Sequence, residues 1–328
     1  MKKLFVMALA VATLASCSKV ETINPGNQLK IGFDNAFVDN STKALITTQN
    51  ISKFMVYGTQ NGAVIFDGNT VSKTNGSWEY EGVRYWHRNS NYKFAAIAPA
   101  PHGLANMTFT EHMPATATYT LADSNIDGQS DLLYSGLVEK SVGADFPSGA
   151  AATVAFTFNH MLSKVSFDFQ NNYNTGTNSY SILVKDLKIA AKANATINFA
   201  TSQWTNHTGD LDLFFPINNG IKIEETRDGF SHESLIIPAP ENTYTITGEA
   251  EIYYNNNKIN TITFDQPIDI ELKAGYNYKI LCQISQEENQ RILFSATVNN
   301  WGNGDGDNDG VEEDNDNYPL VHTPGDNI

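Results

Sequence analysis

Asp305-Gly306-Asp307-Asn308-Asp309-Gly310 sets carboxylates at alternate positions ahead of a glycine, the start of a loop that can wrap a hard cation such as Ca2+. Asp305, Asp307 and Asp309 take the first three ligand positions of such a loop. Asp316 stands where a calcium loop closes with a longer, bidentate glutamate, and no helix is expected on either side. Two readings stay open: weak Ca2+ binding by Asp305, Asp307, Asp309 and Asp316, or a solvated acidic tail. Other candidate chemistry is thinner. His102 and His112 flank a Pro/Gly-rich loop, with no cysteine or paired histidine at zinc spacing. His160 lies near Ser163 in a segment that patterns as a strand, which makes it a partly buried polar residue. Cys282 alternates with Tyr276, Tyr278, Ile280 and Ile284 on one strand face, so it is expected to be a small core residue and not a nucleophile. There is no nucleotide-binding glycine loop, nucleophile elbow or convincing acid/base carboxylate pair, and the expectation is that the chain is not an enzyme and needs no cofactor.

At the other end, Lys2 and Lys3 precede an apolar run from Leu4 to Leu14 that is too short to span a bilayer. Leu14-Ala15-Ser16-Cys17 then resembles the lipobox of bacterial lipoproteins. That resemblance implies an export signal over residues 1–16 and a lipid-bearing, acylated Cys17 as the first mature residue. The chain has two cysteines, so lipidation of Cys17 leaves Cys282 without an intramolecular disulfide partner. A formal net charge of −15 argues against nucleic acid or anionic lipid as a partner.

The remaining elements pattern as β almost throughout. Phe54-Met55-Val56-Tyr57, Tyr92 to Ala98, Val154 to Phe158, Lys164 to Phe169, Tyr244 to Thr247, Glu251 to Tyr254 and Ile262 to Phe264 are rich in β-branched and aromatic residues, with Asn/Gly/Asp/Ser clusters between them. No long segment keeps a helical period. The expected class is all-β, built as antiparallel sandwiches. Asp145-Phe146-Pro147-Ser148-Gly149 breaks the strand pattern and divides the body into 46–146 and 150–302. Residues 17–45 form a leader with a short strand-like Leu29-Lys30-Ile31-Gly32-Phe33. Residues 303–328 are too polar to bury a core and are expected to be a mobile acidic tail.

An ordered set of short segments resembles the fimbrillin family, subunits of type V pili, including its Mfa-like branch. The set runs from Ile51-Ser52-Lys53-Phe54-Met55-Val56-Tyr57 through Trp78-Glu79-Tyr80, Tyr85-Trp86 and Tyr92-Lys93-Phe94-Ala95-Ala96-Ile97-Ala98-Pro99. It continues with Asp131-Leu132-Leu133-Tyr134-Ser135, Phe158-Asn159-His160-Met161-Leu162-Ser163-Lys164-Val165, Leu272-Lys273-Ala274-Gly275-Tyr276-Asn277-Tyr278-Lys279-Ile280 and Trp301. Trp78, Tyr80, Tyr85, Trp86, Tyr92 and Phe94 are placed to fill a sandwich core. Gly275 supplies a turn ahead of a late strand, and Phe158, Met161, Leu162 and Val165 are expected to pack the first strands of the second half.

The resemblance implies two transthyretin-like sandwich domains, a lipid-anchored or fimbrial location at the outer membrane, and other pilus subunits as partners, with a host or bacterial surface ligand for adhesion. In polymerising relatives a protease cuts after a basic residue in the leader, and a strand from another subunit refills the opened groove. The matching position here is Lys43, ahead of Ala44, where many relatives carry arginine; a solvated loop lysine is the other reading. Stalk-forming relatives supply a carboxy-terminal donor strand. Here only Tyr318-Pro319-Leu320-Val321 is apolar near the end, and Pro319 cannot donate to a ladder. The rival reading is an outer-membrane glycan-binding lipoprotein in which exposed Trp78, Trp86 and Trp204 form a stacking platform. Burial of the indoles decides between the two.

Overall fold

The computed structural model describes residues 29–38, 48–122, 128–173, 180–215, 221–223, 233–285, 292–300 and 317–319. Among these residues there is no α-helix, and Gly149–Ala152 forms a 3-10 turn. The β-rich pattern condenses into three sheets. The first runs β1 (Gly32–Val38), β10 (Thr153–His160), β8 (Leu133–Tyr134), β5 (Ser90–Ala98), β2 (Lys53–Gln60), β3 (Ala63–Thr74), β4 (Ser77–Tyr80), with β9 (Val138–Val142) also on β5. The second runs β15 (Glu233–Ile236), β11 (Ser163–Asn171), β18 (Tyr276–Ile284), β19 (Ile292–Asn300), β20 (Asn317–Pro319). The third runs β17 (Asn257–Pro267), β16 (Thr245–Tyr254), β12 (Tyr180–Asn198), β7 (Met113–Thr120), β6 (Ala105–Thr110), with β13 (Gln203–Phe214) and β14 (Ile221–Ile223) also on β12.

Alternating apolar residues turn these sheets into a sandwich. The second and third sheets face each other across a core that includes Phe167, Ile189, Ile246, Ile280 and Cys282. Aromatic pairs cross that gap, Phe167 with Phe215 at 4.7 Å and Phe264 with Phe294 at 5.6 Å. Cys282 is fully buried, as its strand pattern requires. The first sheet wraps a separate aromatic core of Phe33, Phe54, Phe66, Trp86, Phe94 and Phe156. Its central strands serve both cores: Phe94, Ala96 and Ala98 face the aromatic one, while Ala95 and Ile97 face the other. That double burial is why β5 is nearly continuously apolar, like a strand with no solvent side.

Some expectations change. Phe158 belongs to the aromatic core, whereas Met161, Leu162 and Val165 belong to the second, because the chain passes from the first sheet to the second at Met161–Leu162. Tyr244–Thr247 and Glu251–Tyr254 fall largely on one strand, β16. Most pairings are antiparallel, but β1–β10 and β11–β18 are parallel, each joining segments more than a hundred residues apart in sequence. Strands from the two sides of residues 145–149 share sheets: β7 pairs with β12, and β10 with β8. Within the expected acidic tail, residues 317–319 form β20, which pairs with Ser295–Thr297 of β19.

Candidate functional site

The feature that stands apart is β1. It is an edge strand of the first sheet, hydrogen-bonded in parallel to β10 along Gly32–Val38. Its inward residues Phe33, Ala36 and Val38, with Ile31 just before them, are all buried in the aromatic core. The alternation is broken by a register shift between Asp34 and Ala36. The Phe33 ring sits among four others: Phe54 at 5.9 Å, Phe66 at 5.5 Å, Tyr80 at 5.5 Å and Phe156 at 5.8 Å. Edge-to-face contacts dominate this set, the geometry in which ring quadrupoles attract.

The approach to β1 is held from the opposite edge of the same sheet. Lys30 bridges Tyr85, the Ile31 amide donates to the Arg84 carbonyl at 2.8 Å, and the Trp86 amide donates to the Leu29 carbonyl at 2.8 Å. Tyr80 Oη donates to the Ile31 carbonyl at 2.6 Å. Two cations frame the slot: Lys30 Nζ lies 5.0 Å from the Tyr80 ring, and the Arg84 guanidinium 4.8 Å from the Phe66 ring. Arg84 is fixed in turn by donating from Nε to the Ile65 carbonyl at 2.9 Å. β1 therefore closes the first sheet around its core. At its far end, the Val38 amide donates to Thr48 Oγ1 and that hydroxyl donates back to the Val38 carbonyl, both at 2.9 Å. Val38 and Thr48 are thus tied directly to each other.

A second constellation lies where β10 passes into β11. His160 Nδ1 meets Asp131 Oδ2 at 2.7 Å with both side chains buried, and the Met161 amide donates to the Leu132 carbonyl at 2.8 Å. Trp204 Nε1 donates to the Met161 carbonyl at 2.8 Å, the Gly275 amide to the Leu162 carbonyl at 2.9 Å, and Ser163 Oγ to the Lys273 carbonyl at 2.8 Å. Gly275, at φ +77°, makes the turn into β18 that this contact needs. Three segments read separately from the sequence thus meet at one junction. The His160–Asp131 pair is a packing element of that junction. The Cys282 thiol is likewise structural: burial first, and the Asp168 charge second, push its pKa well above the usual range.

Cys17, Lys43, Ala44, Asp305, Asp307, Asp309, Asp316 and Trp301 lie outside the described residues. Among the described residues no group of three or more His, Cys, Asp or Glu is placed to hold a metal ion, and no helix is long and apolar enough to cross a membrane. The three indoles do not form a platform. Trp86 and Trp204 are buried in different cores, and half-buried Trp78 packs its ring 4.9 Å from Phe54. His102 is occupied within the fold: its Nδ1 accepts from the Leu104 amide at 3.1 Å, and its Nε2 meets Tyr57 Oη at 3.2 Å. Sequence reasoning named Asp131 only within a segment, and Arg84 and Thr48 not at all. Their partners lie 10 to 53 residues away, and no local spacing signals them.

No curated protein matches the chain in sequence. Its fold is similar to the crystal structure of a fimbrial protein from Bacteroides vulgatus, with a TM-score of 0.62 at 17% identity, covering 84% of this chain and 100% of that one. A cell adhesion candidate from Bacteroides uniformis gives 0.49 at 18% identity, over 84% and 99% of the two chains. A polysaccharide-binding candidate from Bacteroides thetaiotaomicron gives 0.42 at 12%, over 84% and 96%. The family described as Fimbrillin-like matches residues 36–301, most of the chain. This chain belongs to the Fimbrillin-like family.

Proposed function

We propose that this chain is a structural and adhesive subunit of a type V pilus, exported as a lipoprotein on Cys17 and matured by a cut after Lys43. A strand from another subunit then takes the place of β1. One observation carries this reading. β1 completes the aromatic core of the first sheet, yet in sequence it lies wholly ahead of Lys43, so a single cut there leaves it held by the ladder and by packing alone. Loss of β1 would expose the apolar faces of Phe54, Phe66 and Phe156 and free one edge of β10, and an added strand satisfies both.

The two-unit arrangement of transthyretin-like sandwiches, the outer-membrane location and the surface ligand belong to the same proposal. The buried Trp86 and Trp204 weigh against a glycan platform. The test is mass spectrometry of the protein taken from cells and from sheared surface fibres. An amino terminus at Ala44 in fibres is the expected result; acylated Cys17 in every fraction would overturn the cleavage step.

A further inference from the structure

The resident strand fits its own slot imperfectly. β10 presents Val154, Phe156 and Phe158 to the core at strict two-residue spacing. β1 answers with Phe33, Ala36 and Val38, three residues apart and then two. The ladder pairs Asp34 with Ala155 and Ala36 with Phe156, and Asn35 has no partner across it. Such bulges are uncommon in parallel pairs, and each one interrupts the ladder where it falls. A strand with unbroken alternation would carry its apolar residues opposite 154, 156 and 158 without the interruption.

We infer that the bulge at Asn35 makes β1 the weaker occupant of the slot, and that the favoured occupant is a strictly alternating strand from a second polypeptide, parallel to β10. The inference rests on the exchange reading above and names its partner chemistry. The incoming strand carries an apolar residue where Ile31 sits and a large aromatic opposite Val154, into the cage of Phe54, Phe66, Tyr80 and Phe156. It carries a small residue opposite Phe156, because the Phe33 ring is stacked over the Phe156 ring at an interplanar angle of 18° and covers that side. Opposite Phe158 it carries a β-branched residue, as Val38 does. The bulge thus biases exchange in one direction.

Two labelled peptides test this on the full chain, carrying a site for a sequence-specific protease between residues 39 and 47. One peptide has the native sequence 29–38, and the other is identical but lacks Asn35. After the cut, the peptide lacking Asn35 is expected to displace β1 and to bind about tenfold more tightly than the native one, the worth of one to two recovered ladder bonds. Uncut chain should take up neither. Equal affinities, or tighter binding of the native peptide, would overturn the role of the bulge while leaving exchange intact. If neither peptide enters the cut chain, or if uncut chain takes up both equally well, the exchange reading falls and this inference with it.

Discussion

Replacing Phe33 with alanine probes how firmly β1 is held. The side chain is 6% exposed and its ring contacts four aromatic neighbours within 6 Å. Truncating a buried phenylalanine costs about 3–5 kcal/mol, and a site that can partly collapse falls at the low end. An edge strand collapses more readily than a central one, so about 3 kcal/mol is expected here. The loss should appear first as opening of β1 and not as global unfolding, because Phe33 lies on a strand that can leave without breaking the second core. At about 1.4 kcal/mol per tenfold, the open population rises on the order of a hundredfold. Hydrogen exchange resolved to peptides covering residues 29–38 and 153–160 reads this directly. Asp34→Ala, on the exposed side of the same strand, should stay within about 0.5 kcal/mol. If Phe33→Ala raises exchange in those peptides no more than Asp34→Ala does, the aromatic cage is not what holds β1. If exchange rises equally throughout the protein, β1 is not a separable element.

Asp131→Ala removes the carboxylate from the buried His160 ring and should cost about 3 kcal/mol in urea denaturation, with Asp131→Asn milder because the amide can still accept. Gly248→Ala tests steric closeness alone. A Cβ there would lie 2.5 Å from Phe264 Cζ, so about 1–3 kcal/mol of overpacking is expected, recovered in part by pairing with Phe264→Leu. Burial lowers the His102 pKa below its ordinary 6.5, so the unfolded chain binds that proton more readily than the folded one. The stability His102 contributes is therefore full above pH 6.5 and declines as pH falls towards the lowered value. His102→Gln should flatten the acid side of a thermal-denaturation series, and an unchanged slope would refute the assignment.

The β class was legible because it is written locally: Phe54-Met55-Val56-Tyr57 is a short apolar run, Val154 to Phe158 alternates as a half-buried strand must, and β2 and β10 contain them. Gly275 was legible for the same reason, since a turn needs few neighbours. What escaped was pairing. The parallel union of Gly32–Val38 with Thr153–His160 depends on register across more than a hundred residues, and period-two patterning says which face is buried but not against whom. The same blindness divided Phe158 from Met161 only once the sheets were in hand, although the two stand three positions apart. It also hid the partner of His160: Asp131 was visible in its segment, but nothing near it in sequence names the ring it meets. Trp204 was ambiguous because a strand tryptophan serves a core or a surface equally well until the opposing Met161 carbonyl is placed.

Because β1 runs parallel to β10, the start of one and the start of the other lie at the same end, and the chain continues into the second core from the opposite end. Tension applied through the strand in this slot and resisted by the body therefore acts along the strand axis. Pulled by its amino-terminal end against a body held through the end of β10, a parallel occupant loads the ladder in shear and its bonds yield together, whereas an antiparallel occupant pulled the same way would be peeled off one bond at a time. Load is also carried by the aromatic seated in the cage that Phe33 fills on the resident strand, which must be dragged sideways past Phe54, Phe66, Tyr80 and Phe156 before the strand can slide. A fibre joined by strands seated in this way would hold under pull without a covalent link between its subunits.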